Sequence, residues 1–209
     1  MNRLYPVFLN LKNKDCLVFG GGKVAERKVR SLIKSKARIT LIDPKASRDI
    51  LALSKKHGFK IIKRNYRKKD IKGFFLIIAA TDSEAVNGLI AKESAKYKIF
   101  CNVVDDPEKC DFFIPASFGV KDLKIAISTN GKSPALAKKL KNEIKNIISS
   151  EVPNLIDILA ELKRNLKKKY PGARKKREEI LKTIVDSRDA LSITKEDIKK
   201  IKRRFKEWI

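Results

Sequence analysis

The chain has one histidine, His57, and three cysteines, Cys16, Cys101 and Cys110, none of them in a CxxC pair. Ligands this few and this badly spaced argue against a structural zinc site, and no metal site is expected. An odd number of cysteines in a chain without a secretory leader reads as reduced thiols packed like small apolar side chains. The start, Met1-Asn2-Arg3-Leu4-Tyr5-Pro6, lacks the apolar run of such a leader. Nowhere is there the stretch of roughly 18 to 20 apolar residues that spans a bilayer. A cytoplasmic location with no membrane partner is therefore expected.

Acidic residues are scarce as well, 24 against 50 Lys and Arg, and glutamine is absent. The net charge of +26 divides evenly, with 25 basic and 12 acidic residues on each side of the 112/113 boundary, so no single tail carries it. The densest run, residues 163–177, holds nine basic residues and no acid. Positive potential of this size attracts polyanions: nucleic acid, a membrane surface or a heavily carboxylated metabolite. A glutamine-free composition rich in Lys and Glu, as in hyperthermophile proteins, explains the charge equally well. Hydrophobic residues make up 43% of the 209, enough to bury a core, so disorder by composition is excluded.

Short apolar runs alternate with amphipathic ones. Strands are predicted over 15–20, 37–42, 60–64, 74–80 and 99–104, with helices over 24–35, 47–57 and 84–97 between them. The run Phe74-Phe75-Leu76-Ile77-Ile78-Ala79-Ala80 is apolar throughout, which implies burial on both faces of a parallel sheet. The fold class is thus α/β, a Rossmann-like parallel sheet over 1–112. Strands over 112–118 and 123–128 and a helix capped by Ser133-Pro134 then form a small α/β segment over 113–150. From 151 to 209 the chain reads as helical, with breaks at Tyr170-Pro171-Gly172 and near Ser187. Thr194 with Asp197 resembles a capping box before the last helix.

The sharpest local signal is Val18-Phe19-Gly20-Gly21-Gly22-Lys23-Val24-Ala25, a GxGxxA pattern between a predicted strand and a predicted helix. Gly20 permits the tight turn, Gly22 lets the backbone approach a pyrophosphate, and Ala25 allows close packing. Asp43 closes the next strand, where a carboxylate accepts hydrogen bonds from ribose hydroxyls and repels a 2′-phosphate, favouring NAD over NADP. Thr81 and Asp82 end the fourth strand and border the same edge, although either could simply cap the next helix. Asp105 and Asp106 follow the fifth strand; one of them is expected to reach the cofactor, with a turn-capping role as the equal alternative. The polar turn 128–134 could grip an anion or merely cap a helix.

Together these stretches resemble the siroheme synthase N-terminal family of precorrin-2 dehydrogenases and sirohydrochlorin ferrochelatases. The resemblance is carried by Leu4 to Phe8, VFGGGKVAERKV from Val18, Ala79 to Asp82 with Asn87, FCNVVDDPEKCDFFIP from Phe100, and NGKSPALAKKL within 128–140. It implies NAD-dependent oxidation of precorrin-2 to sirohydrochlorin by a homodimer, with 113–150 as the dimerisation segment and 151–209 as a helical domain. It places Asp105 at the family's essential carboxylate, and Lys23, Val24, Pro44 and Lys45 along NAD; Gly21, inside the glycine turn, is expected to bind the cofactor with Gly20 and Gly22. In bifunctional members the same Asp is implicated in placing ferrous iron; without further histidines any chelatase here relies on carboxylates. Precorrin-2 carries eight acid side chains, which would account for part of the charge. With no methyltransferase domain by residue 209, the chain is expected to accept precorrin-2 made by another enzyme. The competing reading is an NAD-binding regulatory or ligand-sensing module without turnover. Nucleic acid is not an expected partner.

Overall fold

The computed structural model describes residues 4–186 and 191–208, in two compact units, 1–114 and 115–209. In the first unit, five strands, β1 (Asp15–Phe19), β2 (Arg38–Ile42), β3 (Lys60–Ile62), β4 (Leu76–Ala79) and β5 (Phe100–Val103), form a sheet in the order β3-β2-β1-β4-β5. Every pairing is parallel. Helices α1 (Lys23–Lys34), α2 (Arg48–His57) and α3 (Glu84–Tyr97) connect them. The doubly wound α/β domain expected from the apolar strands is present.

The all-apolar strands have a simple cause: alternate residues serve two cores. Cys16 and Val18 of β1, with Leu76 and Ile78 of β4, pack on Ala25, Val29 and Leu32 of α1 and Ile50 and Leu53 of α2. Leu17 and Phe19, with Ile77 and Ala79, pack on Ile90 and Ala91 of α3. At β1 and β4 both faces of the sheet are covered, so alternation is lost there. Ser47 caps α2, its Oγ accepting the Ile50 amide at 3.4 Å.

Under β3 the chain is locked by a two-pronged ion pair. Arg64 Nη1 and Nη2 donate to Asp70 Oδ2 and Oδ1, both at 2.7 Å, and the Arg67 amide adds a bond at 2.8 Å. Burial opposes ionisation of Asp70, but the hydrogen bonds from Arg64 and Arg67 outweigh it and hold the carboxyl below its ordinary value. A carboxyl more acidic folded than unfolded contributes stability above the unfolded value, about 4, and loses it as pH falls through the folded one. Asp70→Asn is therefore expected to cost about 1–3 kcal/mol at neutral pH, with the deficit shrinking below about pH 4. Thermal unfolding of both proteins across that range checks it; a deficit independent of pH would refute the linkage.

In the second unit a hairpin of β6 (Ala116–Val120) and β7 (Leu123–Ile127) turns at Lys121, which has a positive φ of 50°. Helix α4 (Pro134–Ile147) packs on it, capped as expected by Ser133, whose Oγ accepts the Leu136 amide at 3.3 Å. The strand expected over 112–118 begins only at Ala116. The Phe112 carbonyl accepts instead from Asn102 Nδ2 at 3.0 Å, and Pro115 has no amide to give a ladder.

Helices α5 (Val152–Lys169), α6 (Arg174–Asp186) and α7 (Lys195–Trp208) bury one stripe. Leu155, Ile158, Leu162 and Leu166 lie at helical spacing on α5 and meet Ile184, Ile193, Ile198 and Ile201. The break at 170–172 is present, and the capping box is formed: the Asp197 amide donates to Thr194 Oγ1 at 3.2 Å and the Thr194 amide to Asp197 Oδ2 at 3.1 Å. The break read near Ser187 lies outside the described residues. Part of the basic run folds back on itself: Lys176 Nζ sits 4.2 Å from the Tyr170 ring centre, and Arg177 donates to the Pro171 carbonyl at 2.8 Å. Among the described residues no helix is long and apolar enough to cross a membrane.

Candidate functional site

The strand order reverses between β1 and β4, and in an open α/β sheet ligands bind outside the carboxyl ends of strands at such a point. Backbone bonds continue just past the strand ends and hold the three loops side by side. The Gly20 amide donates to Ile42 O at 3.1 Å, Ala80 to Phe19 O at 2.8 Å, and Val104 to Ala79 O at 2.9 Å. A cavity of about 420 Å³ opens there. Gly22, Lys23 and Val24 line it from the β1–α1 turn, Ala80 to Asp82 with Glu84 and Asn87 from the β4–α3 turn, and Val103 to Asp106 from the end of β5.

The three glycines do three different jobs. Gly20 has φ +110°, and a Cβ there would lie 2.1 Å from the Ala80 carbonyl oxygen. At Gly21 a Cβ would lie 2.6 Å from Ala46 Cα and 2.8 Å from the Asp43 carboxyl. Gly22 has an extended backbone that any residue adopts, and a Cβ there would meet nothing within 4 Å. No steric contact within the protein calls for glycine at this position, whereas a ligand lying against the backbone would. Gly22 is also the N-cap of α1 with no side chain bonded to the helix amides, so those donors and the positive dipole end face the turn. These features fit a dinucleotide pyrophosphate.

Asp43 is brought against Gly21, and its Oδ1 accepts the Lys45 amide at 2.6 Å. Gly20, Gly21, Asp43, Pro44 and Lys45 do not line the cavity itself. They form the adjacent rim, tied down by the Ser47 amide donating to Gly21 O at 3.0 Å.

Neither Thr81 nor Asp82 caps α3; Ser83 does, its Oγ accepting the Val86 amide at 3.3 Å. Thr81 is clamped by Asn87. Its amide and hydroxyl donate to Asn87 Oδ1 at 3.2 and 2.7 Å, and Asn87 Nδ2 returns a bond to its carbonyl at 3.0 Å. Asn87 is buried, which makes it the fixed part of this wall. Its role was not visible in sequence, because a six-residue spacing across a turn has no periodic signature. Glu84 was also missed; only its place in the first turn of α3 hinted at it.

Asp105 and Asp106 both line the cavity, and strand alternation does not separate them, since β5 has already ended at Val103; Asp105 has a left-handed backbone, φ 61°. Asp106 pairs with Lys109, whose hydrogen bond holds its carboxyl below the usual range. Asp105 is exposed at the mouth of the cavity, with no hydrogen bond to its carboxylate among the described residues. Behind it, burial and then the Arg27 charge push the Lys28 ammonium down, while Cys110 and Asp105 partly restore it. Burial pushes the Cys16 and Cys101 thiols up to about 11, consistent with inert packed cysteines.

The turn 128–134 uses its hydroxyls locally: Ser128 Oγ accepts the Asn130 amide and Thr129 Oγ1 the Ser133 amide, both at 3.1 Å. This is the capping alternative. A wider groove, about 720 Å³, lies where the strands begin, near Asp15, Arg38, Phe75 and Ile99. It lacks a helix N-terminus, and Asp15 there is committed to Arg38.

An NAD(P)-binding family model matches residues 7–116, just over half of the chain, and the model of the sirohaem biosynthesis protein central segment matches 121–147. The siroheme synthase of Methylococcus capsulatus is 37% identical over 172 residues, 82% of this chain and 36% of that protein. Siroheme synthase 2 of Yersinia enterocolitica is 31% identical over 193 residues, 92% of this chain and 41% of that one. The chain thus spans between about a third and two fifths of these relatives. The solved structure of SirC, a precorrin-2 dehydrogenase, superposes with a TM-score of 0.78 at 25% identity, covering 98% of this chain and all of that one.

Proposed function

The chain belongs to the siroheme synthase N-terminal family, and from that premise we propose that it oxidises precorrin-2 to sirohydrochlorin with NAD as oxidant. The observation that carries the reading is the juxtaposition of an open Gly22 backbone at a helix N-terminus with an unpaired Asp105 carboxylate across one cavity. Bound at the glycine turn, NAD supplies the hydride acceptor. The uncapped α1 amides would hold its pyrophosphate, and Asn87 keeps the Thr81 wall fixed. As two electrons and one hydrogen leave the tetrapyrrole, a proton must leave as well, and Asp105 takes it as general base. Asp43 beside Gly21 favours the unphosphorylated ribose of NAD over NADP. Lys23 and Val24, which line the cavity, would flank the cofactor at the turn, with Pro44 and Lys45 beside Asp43 along it.

Residues 113–150 serve dimerisation in this reading. The outer edges of β6 and β7 are unpaired within the described chain and so offer backbone groups to a second copy. Three free cysteines accord with a cytoplasmic location. Ferrous iron insertion would rest on Asp105, because among the described residues no three His, Cys, Asp or Glu side chains converge.

Anaerobic incubation with precorrin-2 and either NAD or NADP tests the reading through the sirohydrochlorin spectrum. Turnover with NAD and much less with NADP is expected; ferrous iron added afterwards reads out chelation. A folded protein that binds NAD yet turns nothing over would be a sensing module instead.

A further inference from the structure

We propose that Cys110 is a positioning residue whose thiol shapes the turn that carries Asp105. The proposal deepens the reading of Asp105 as general base and rests on it for its kinetic consequence. Beyond β5 the chain bends at Asp105 and passes through a 3-10 turn, Pro107–Lys109, which returns Cys110 beneath the residues just left. Four polar groups converge on its sulfur. The Val103 amide donates to Sγ at 3.2 Å and Asn102 Nδ2 at 3.4 Å. The single S–H faces two acceptors, Val103 O at 3.1 Å and Asp106 O at 3.2 Å.

Val103 and Asp106 are the residues that bracket Val104-Asp105. The thiol therefore ties the entry and the exit of the bend to one atom. Asp105 needs such a tie, because its carboxylate has no hydrogen bond among the described residues to hold it and its φ of 61° lies in the left-handed region, which aspartate tolerates but does not prefer. Asn102 extends the brace: buried at 6% exposure, it bonds Sγ and the Phe112 carbonyl with one amide group. Sulfur suits the post because its long bonds and diffuse lone pairs reach several partners at once. Burial, the largest influence, and the charges of Asp106 and Asp111 keep the thiol protonated, so it can donate to a carbonyl. A packed apolar cysteine, the expectation from sequence, describes Cys16 better than Cys110.

Cys110→Ala and Cys110→Ser test the idea, with Cys110→Val as the volume-keeping variant should alanine fail to fold. In the alanine variant kcat should fall about tenfold or more, as expected for a displaced catalytic group, with NAD affinity unchanged. Serine, a donor and acceptor on a shorter bond, should recover part of the loss. In an Asp105→Ala background the cysteine change should cost nothing further, since both act through one group; full additivity would mean a merely structural cysteine. Amide hydrogen exchange at 103–106 should rise in the alanine or valine protein and fall back in serine. Unchanged exchange in a folded variant overturns the proposal whatever the kinetics. A wild type without turnover would sink the precorrin-2 reading alone, and exchange would still decide Cys110.

Discussion

Asp105→Asn is expected to lower NAD-dependent oxidation of precorrin-2 by about 10²–10⁴-fold, the range of a lost general base, while NAD affinity stays near that of the wild type. Asparagine is the informative change, since it tolerates the left-handed backbone at this position almost as aspartate does. The turn is preserved and only the capacity to accept a proton is removed. Asp105→Ala should be at least as slow, with additional loosening of the bend. Asp106→Asn is the control: Asp106 is paired with Lys109, which lowers its proton affinity and makes it the poorer base. Its effect should be small by comparison. Single-turnover kinetics beside calorimetric NAD titration separates the two roles. Full activity in Asp105→Asn would remove the carboxylate from the chemistry, and loss of NAD binding would reassign it to the cofactor.

What could be read in sequence was whatever local chemistry dictates. Phe74 to Ala80 is apolar on both faces because β4 serves two cores, and that pattern survives without knowing its neighbours. Ser133-Pro134 and Thr194 with Asp197 signal helix starts because a cap needs its partner two or three residues away. The glycine turn and its Asp43 rim were recognisable for the same reason. What stayed hidden depends on contacts distant in sequence. That Ala80 abuts Gly20 follows from β4 lying beside β1, which no spacing reveals. Asn87 and Cys110 look like an ordinary helix residue and an ordinary thiol until the folded turns place Thr81 and Val103 against them. Phe112 to Pro115 has the apolar character of a strand but lacks a partner ladder, so its pattern misled. The site is thus legible in its ligand-facing chemistry and illegible in the brace behind it.

The neighbouring glycines offer the second large effect, because they separate folding from binding within one turn. Gly20→Ala would force a Cβ to 2.1 Å from the Ala80 carbonyl at φ +110°, a backbone that L residues rarely adopt. Backbone neighbours cannot give way as a side-chain end can, so the loss should be on the order of 3 kcal/mol or more. Gly22→Ala meets no protein atom within 4 Å and keeps an allowed extended conformation. It should cost the fold less than about 1 kcal/mol, the range of an N-cap exchange. Against the cofactor the order reverses. A methyl group raised into the space where the pyrophosphate would lie is an overpacking of about 1–3 kcal/mol, or about five- to 150-fold in NAD affinity. Thermal unfolding paired with calorimetric titration reads both quantities. A Gly22→Ala protein that binds NAD as tightly as the wild type would move the pyrophosphate away from the α1 N-terminus. A stable Gly20→Ala protein would mean that β1 and β4 can part at their ends, which the bond from the Ala80 amide to Phe19 O argues against.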